Sequence, residues 1–142
     1  MLPHTSSRHR ILLAFGGVLA AGIGVGLLFA PAAFHGANGI EIGTDINLLS
    51  EVRAPGGVLL VAGVAMLGGA FARRFATLAT AIGAAMFLAY GLARLVAMSL
   101  DGIPGPGLVT ATVIEWILGI LFARTLITAS PGSGPRTRQE AA

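Results

Sequence analysis

Long apolar runs alternate with short polar breaks along this chain. Residues 11 to 30 carry no polar side chain. At the helical rise a run of that length covers about 30 Å, the thickness of a bilayer's hydrocarbon core. A second uncharged run covers residues 54 to 72. A third covers residues 75 to 100 and is interrupted only by Arg94, and a fourth covers residues 107 to 123, interrupted only by Glu115. Runs of this length exceed barrel strands, so the pattern predicts an all-α, four-helix transmembrane bundle.

The breaks refine the boundaries. Pro31 ends the first span. Between residues 31 and 53, Thr44 or Asp45 can cap a new helix, with Asn47 answering across its first turn. This predicts a short extracytoplasmic pre-helix before the second span, which starts near Asp45, runs through or kinks at Pro55 and ends near Arg73. The run from Asp101 to Gly107, DGIPGPG, is dense turn chemistry. It stops the third span near Leu100 and starts the fourth near Gly107. Residues 1 to 10 read as a cytoplasmic tail, 11 to 125 as the membrane domain, and 126 to 142 as a disordered cytoplasmic tail.

Composition agrees. The 142 residues make one domain, 55% hydrophobic and only 11% charged, with a mean hydropathy of +0.85. A soluble domain of this size cannot hide so much apolar surface behind a polar shell. Cys is absent, which removes disulfides, thiolate metal sites and thiol redox relays. Lys is absent too, so every cation is an Arg, and these are few, scattered and mostly flank the apolar spans. That scatter, without a basic run or interleaved aromatics, explains a pI near 11.1 without a nucleic-acid partner.

The same Arg residues set an orientation. Arg8, Arg10, Arg73, Arg74, Arg124, Arg136 and Arg138 fall on one side of the predicted bundle. Glu41, Asp45, Glu51 and Asp101 fall on the other. The positive-inside rule then places both termini in the cytoplasm. Ala30-Pro31-Ala32 after a basic start resembles a secretory cleavage site, but a 20-residue apolar run is longer than a signal's core, so the first span is expected to stay.

Gly22 and Gly26 form a GxxxG spacing, and Gly56, Gly57, Gly63, Gly68 and Gly69 stud the second span. Small residues let membrane helices approach closely. They serve either packing within the chain, the favoured reading, or a seam between copies.

Two charges interrupt the apolar runs. Arg94 lies roughly 10 Å inside one end of the third span, and Glu115 lies about 12 Å inside the same end of the fourth. Such charges cost at least ~2.5 kcal/mol in a membrane helix unless paired or facing a cavity. Matching depths and opposite signs predict that they pair in the bundle interior. Tyr90, Arg94 and Asp101 share one helical face, and Thr112 shares a face with Glu115. Glu51 and Arg53 sit at the same level on the second span, with Asn47 nearby. The expected polar cluster is thus Glu51, Arg53, Tyr90, Arg94, Asp101 and Glu115, with Asn47 and Thr112 as secondary members. It is either a pocket for a small ligand, proton or lipid head group, or an ion-pair network that docks helices.

Other chemistry has little support. His4, His9 and His35 lack companions at metal-ligand spacing, so no metal is expected. No glycine run continues into a phosphate loop, and no nucleophile–base set can be drawn, so no cofactor and no catalytic residue are expected. Trp116 reads as lipid-facing or packed on a neighbouring helix.

The stretch Asn47-Leu-Leu-Ser-Glu51-Val-Arg53-Ala-Pro55-Gly56-Gly57, then Gly91-Leu-Ala-Arg94-Leu, Asp101-Gly102-Ile-Pro104 and finally Glu115, resembles the family catalogued as domain of unknown function 4345. The resemblance covers about residues 11 to 125. It implies a small four-helix bacterial membrane protein, in the cytoplasmic membrane, with Glu51, Arg53, Arg94, Asp101 and Glu115 as motif residues. Pro55 departs from the pattern, where a better helix former is expected. The architecture is also similar to DoxX-like bundles, some of which look like accessory subunits of membrane oxidoreductases, an analogy of fold alone.

The expected function is a non-enzymatic membrane protein whose polar cluster binds a small molecule or lipid head group, or serves a membrane partner subunit or second copy. The alternatives are a proton-linked carrier working as an oligomer and an accessory to a lipid- or quinone-directed enzyme.

Overall fold

A computed structural model describes residues 6–129. The elements are α1 (Ser7–Phe29), α2 (Pro31–Gly36), α3 (Ile46–Phe71), α4 (Ala76–Asp101) and α5 (Pro106–Ala129), with a single 3-10 turn at Arg73–Phe75. Four of these helices are long and apolar enough to cross a membrane, so the chain is an all-helical, multi-pass membrane protein.

Several helices outrun the apolar spans that predict them. Ser6 caps α1 by accepting the His9 amide at 3.3 Å, so Ser7 to Arg10 are helical rather than tail. α5 continues past Arg124 to Ala129. Within that extension the Thr125 and Thr128 hydroxyls donate to the carbonyls of Leu121 and Arg124 at 2.8 and 3.0 Å. Residues 126 to 129 are therefore helix, while the rest of the expected tail lies outside the described residues.

The segment after α1 also differs in detail. Pro31 ends α1 and opens α2 in one step, because its ring fits the first helical position. The pre-helix and the second span are one helix, capped by Asp45, whose Oδ1 accepts the Leu48 amide at 2.8 Å. Asn47 is exposed and takes no part in the cap. α3 runs through Pro55 without a break. The ring has no N–H to give the carbonyl of Glu51 one turn back, so that carbonyl loses its helical donor.

The long helices stand in the cyclic order α1, α3, α4, α5. The α1–α3 interface is the most extensive, and α4–α5 and α3–α4 follow; of the neighbours in this order α1 and α5 touch least, while α3 and α5 stand apart across the bundle. Glycine explains the first. A Cβ on Gly24 would lie 2.5 Å from the Leu60 amide nitrogen, and one on Gly63 would lie 2.5 Å from that of Ala21. Gly17 and Gly56 face the same seam, where a Cβ would come within 2.9 Å of the Gly63 carbonyl and 2.8 Å of Leu27 Cβ. These four glycines thus pack α1 against α3. The α1 pair is Gly17 and Gly24 rather than Gly22 and Gly26: Gly22 meets nothing, and Gly26 receives the Phe34 ring from α2.

Phe122 of α5 fills the centre of the bundle with no exposed surface. Its ring stacks on Phe87 with centroids 5.9 Å apart. It reaches across the thin α1–α5 side because Gly16 and Gly83 leave room, where a Cβ would come within 2.9 and 3.0 Å of the ring.

At the end that carries the termini, His9 Nε2 lies 2.7 Å from Thr80 Oγ1. The Thr80 hydroxyl donates to the Ala76 carbonyl at 2.6 Å, which leaves its oxygen to accept from His9. Arg10 Nε donates to the Ala70 carbonyl at 3.0 Å, closing the last turn of α3.

Candidate binding cavity

The opposite half of the bundle, nearer α2, is not filled. A cavity of about 520 Å³ lies among all four long helices there. That volume falls within the range of small-molecule sites, roughly 300–1,000 Å³. Its deep wall is apolar: Ala20 and Ile23 of α1, Leu59 of α3, and Met86 and Phe87 of α4. Phe122, stacked on Phe87, lies behind this floor. Polar groups gather toward the other end, where His35 and Asn38 meet Glu51, Tyr90, Arg94 and Glu115.

Arg94 and Glu115 form a direct ion pair. Arg94 Nε donates to Glu115 Oε1 at 3.0 Å and to Oε2 at 2.9 Å. The two terminal nitrogens of the guanidinium donate to no acceptor among the described residues. The Arg94 side chain is 31% exposed and that of Glu115 13%. The carboxylate is therefore the more shielded partner, and both residues line the cavity. Pairing explains how two charges persist inside apolar runs.

Glu51 reaches the cavity one turn before Pro55, on the same face of α3. Arg53 does not. Two residues along a helix turn the side chain to the opposite face, and Arg53 is exposed on a shallow groove with Leu28, Leu49 and Ser50. Asp101, the last residue of α4, is exposed. It borders a separate small depression shared with Arg94 and Pro104, and makes no ion pair among the described residues. Thr112 is buried, but its hydroxyl donates to the Leu108 carbonyl at 2.9 Å, within its own helix. Asn47 stays outside the cavity. Of the eight expected cluster residues, Glu51, Tyr90, Arg94 and Glu115 come together.

Gly91 has a separate task. The Trp116 indole packs over it, with Nε1 2.9 Å from where a Cβ would stand. Trp116 therefore packs on α4, and its buried N–H has no acceptor among the described residues.

Sequence reasoning missed the apolar floor, His35 and Asn38 as cavity walls, and the His9–Thr80 contact. His35 and Asn38 are brought over the cavity by α2, whose only sequence signal is Pro31 at its first position.

The order of these residues and the four-helix frame match one family model over residues 9–126, that of a domain of unknown function (DUF4345). The chain belongs to that family. Its match covers most of every long helix and all four cavity-facing polar residues of the expected cluster, Glu51, Tyr90, Arg94 and Glu115. Comparisons with curated proteins and with solved structures gave no match.

Proposed function

We propose that this DUF4345 protein is a non-enzymatic membrane protein that holds a small amphiphilic molecule in the cavity between its four helices. One observation carries the reading: a void of about 520 Å³ with an apolar floor and an ion pair at its polar end. A bundle that needed only to dock its helices would close over the pair and leave no void, because empty space forfeits dispersion contacts. The site would orient an amphiphile, tail toward Phe87 and head toward Arg94. The distribution of Arg residues supports a placement in the bacterial cytoplasmic membrane with the termini inside, which puts the polar end in the extracytoplasmic half.

The test is retention of lipid. Protein purified from membranes into lipid nanodiscs is examined by native mass spectrometry beside Ala111→Phe, which fills the cavity from α5. The expected result is one retained amphiphile on the parent protein and none on the variant, with both folded. Equal retention by the two, or none by either, overturns the reading.

A further inference from the structure

The cavity carries enough chemistry to choose its occupant's head group. Arg94 offers its terminal N–H groups, and Tyr90 offers a hydroxyl beside them. Acceptors are present as well: the Glu51 carboxylate, the Asn38 amide and the Glu51 carbonyl released by Pro55. The one cation is already matched by Glu115. Glu51, exposed at the rim, adds a negative charge that faces water.

A charged head group fits this arrangement poorly. An anion next to Arg94 would lie beside the carboxylates of Glu115 and Glu51. A cation next to Glu115 would lie beside the guanidinium, and one next to Glu51 would pair in water at the rim, where an exposed ion pair gains little. Beside Arg94 or Glu115, either would be desolvated against a pair that is already balanced. A head with hydroxyl and carbonyl oxygens, and no net charge, can use both sets of groups without disturbing the pair. The tail has a lateral way in from the bilayer on the α1–α5 side, the most sparsely packed of the four sides of the bundle, where both helices line the cavity.

Resting on the cavity reading above, we infer that the occupant is an uncharged single-chain amphiphile, its oxygen-bearing head held by Arg94, Tyr90 and Glu51 and its tail over Phe87. Arg94 and Tyr90 donate to the head's oxygens, and the freed Glu51 carbonyl and carboxylate accept from its hydroxyls.

The experiment compares three probes that share one tail and differ in head: monolauroylglycerol, laurate and dodecyltrimethylammonium. Each is added at equal mole fraction to nanodiscs holding the full chain. Binding is read from the fluorescence of Trp116, the only tryptophan, which adjoins Glu115. The expected order puts monolauroylglycerol about tenfold or more ahead of both charged probes. Glu51→Gln narrows the gap to laurate, and Ala111→Phe abolishes all three signals. If laurate or dodecyltrimethylammonium binds as well or better, and Ala111→Phe still blocks it, the head-group assignment fails while the cavity reading stands. If no probe gives a signal that Ala111→Phe removes, both fail.

Discussion

Arg94 holds Glu115 through a single nitrogen, with both carboxylate oxygens within 3.0 Å of Nε. An ion pair that used the whole guanidinium fork would be closed to other ligands. This one fixes α4 to α5 and still leaves donors facing the cavity. Structural and binding roles are therefore carried by different atoms of one side chain.

That division makes a double-mutant cycle informative. Arg94→Gln and Glu115→Gln each leave a charge without its partner in a half-buried, apolar setting. Each should destabilise by about 2 kcal/mol, below the full buried-pair penalty because water reaches Arg94. The double change should recover most of that loss, since no orphan charge remains. Denaturant titration in mixed micelles measures all three. Binding of the uncharged probe should stay lost in the double variant even though stability returns.

The α1–α3 seam gives a sharper contrast. Gly63→Ala places a methyl 2.5 Å from the backbone of Ala21. Forcing the helices apart should cost about 1–3 kcal/mol. Gly22→Ala meets open space and should be neutral or stabilising by up to about 1 kcal/mol, as expected for glycine in a helix interior. Midpoints of thermal unfolding in detergent should separate the two variants.

Phe122→Ala should remove the central stack and join the void it leaves to the cavity beyond Phe87. The expected loss is about 2–3 kcal/mol, less than in a soluble core because lipid tails are as apolar as the site. Native mass spectrometry should then show a longer-tailed amphiphile accepted by the variant than by the parent.

At the end bearing the termini, Thr80→Val removes the only described partner of the His9 ring while keeping the side chain's shape. The loss should be about 1 kcal/mol, the net worth of one hydrogen bond. Thr80→Ser keeps the hydroxyl and should behave nearly as the parent. Proteolysis of the first turns of α1 should be faster in the valine variant only.

The pair at the heart of the site was legible because Arg94 and Glu115 stand out against apolar runs and lie at matching depths. Glu51 was legible by its level on α3. Arg53 was misplaced because level alone ignores helical rotation, and two residues send neighbours to opposite faces. The void was illegible, since Ile23, Leu59 and Phe87 have the same spacing whether they meet a core, a tail or a cavity. The seam glycines were legible as a type but not as individuals: Gly17 and Gly24 repeat every seven residues, and the GxxxG pair drew the eye instead. His35 and Asn38 depend on α2, a helix too short to leave a periodic pattern.

The unequal helix contacts have a consequence for assembly. α1 with α3, and α4 with α5, form two helical hairpins joined at Ala72–Phe75. Each hairpin is tightly closed within itself, and walls of the cavity come from both. The binding site is thus a product of hairpin docking rather than of either hairpin's folding. A change that loosens the α3–α4 junction would empty the site while leaving both halves inserted and helical.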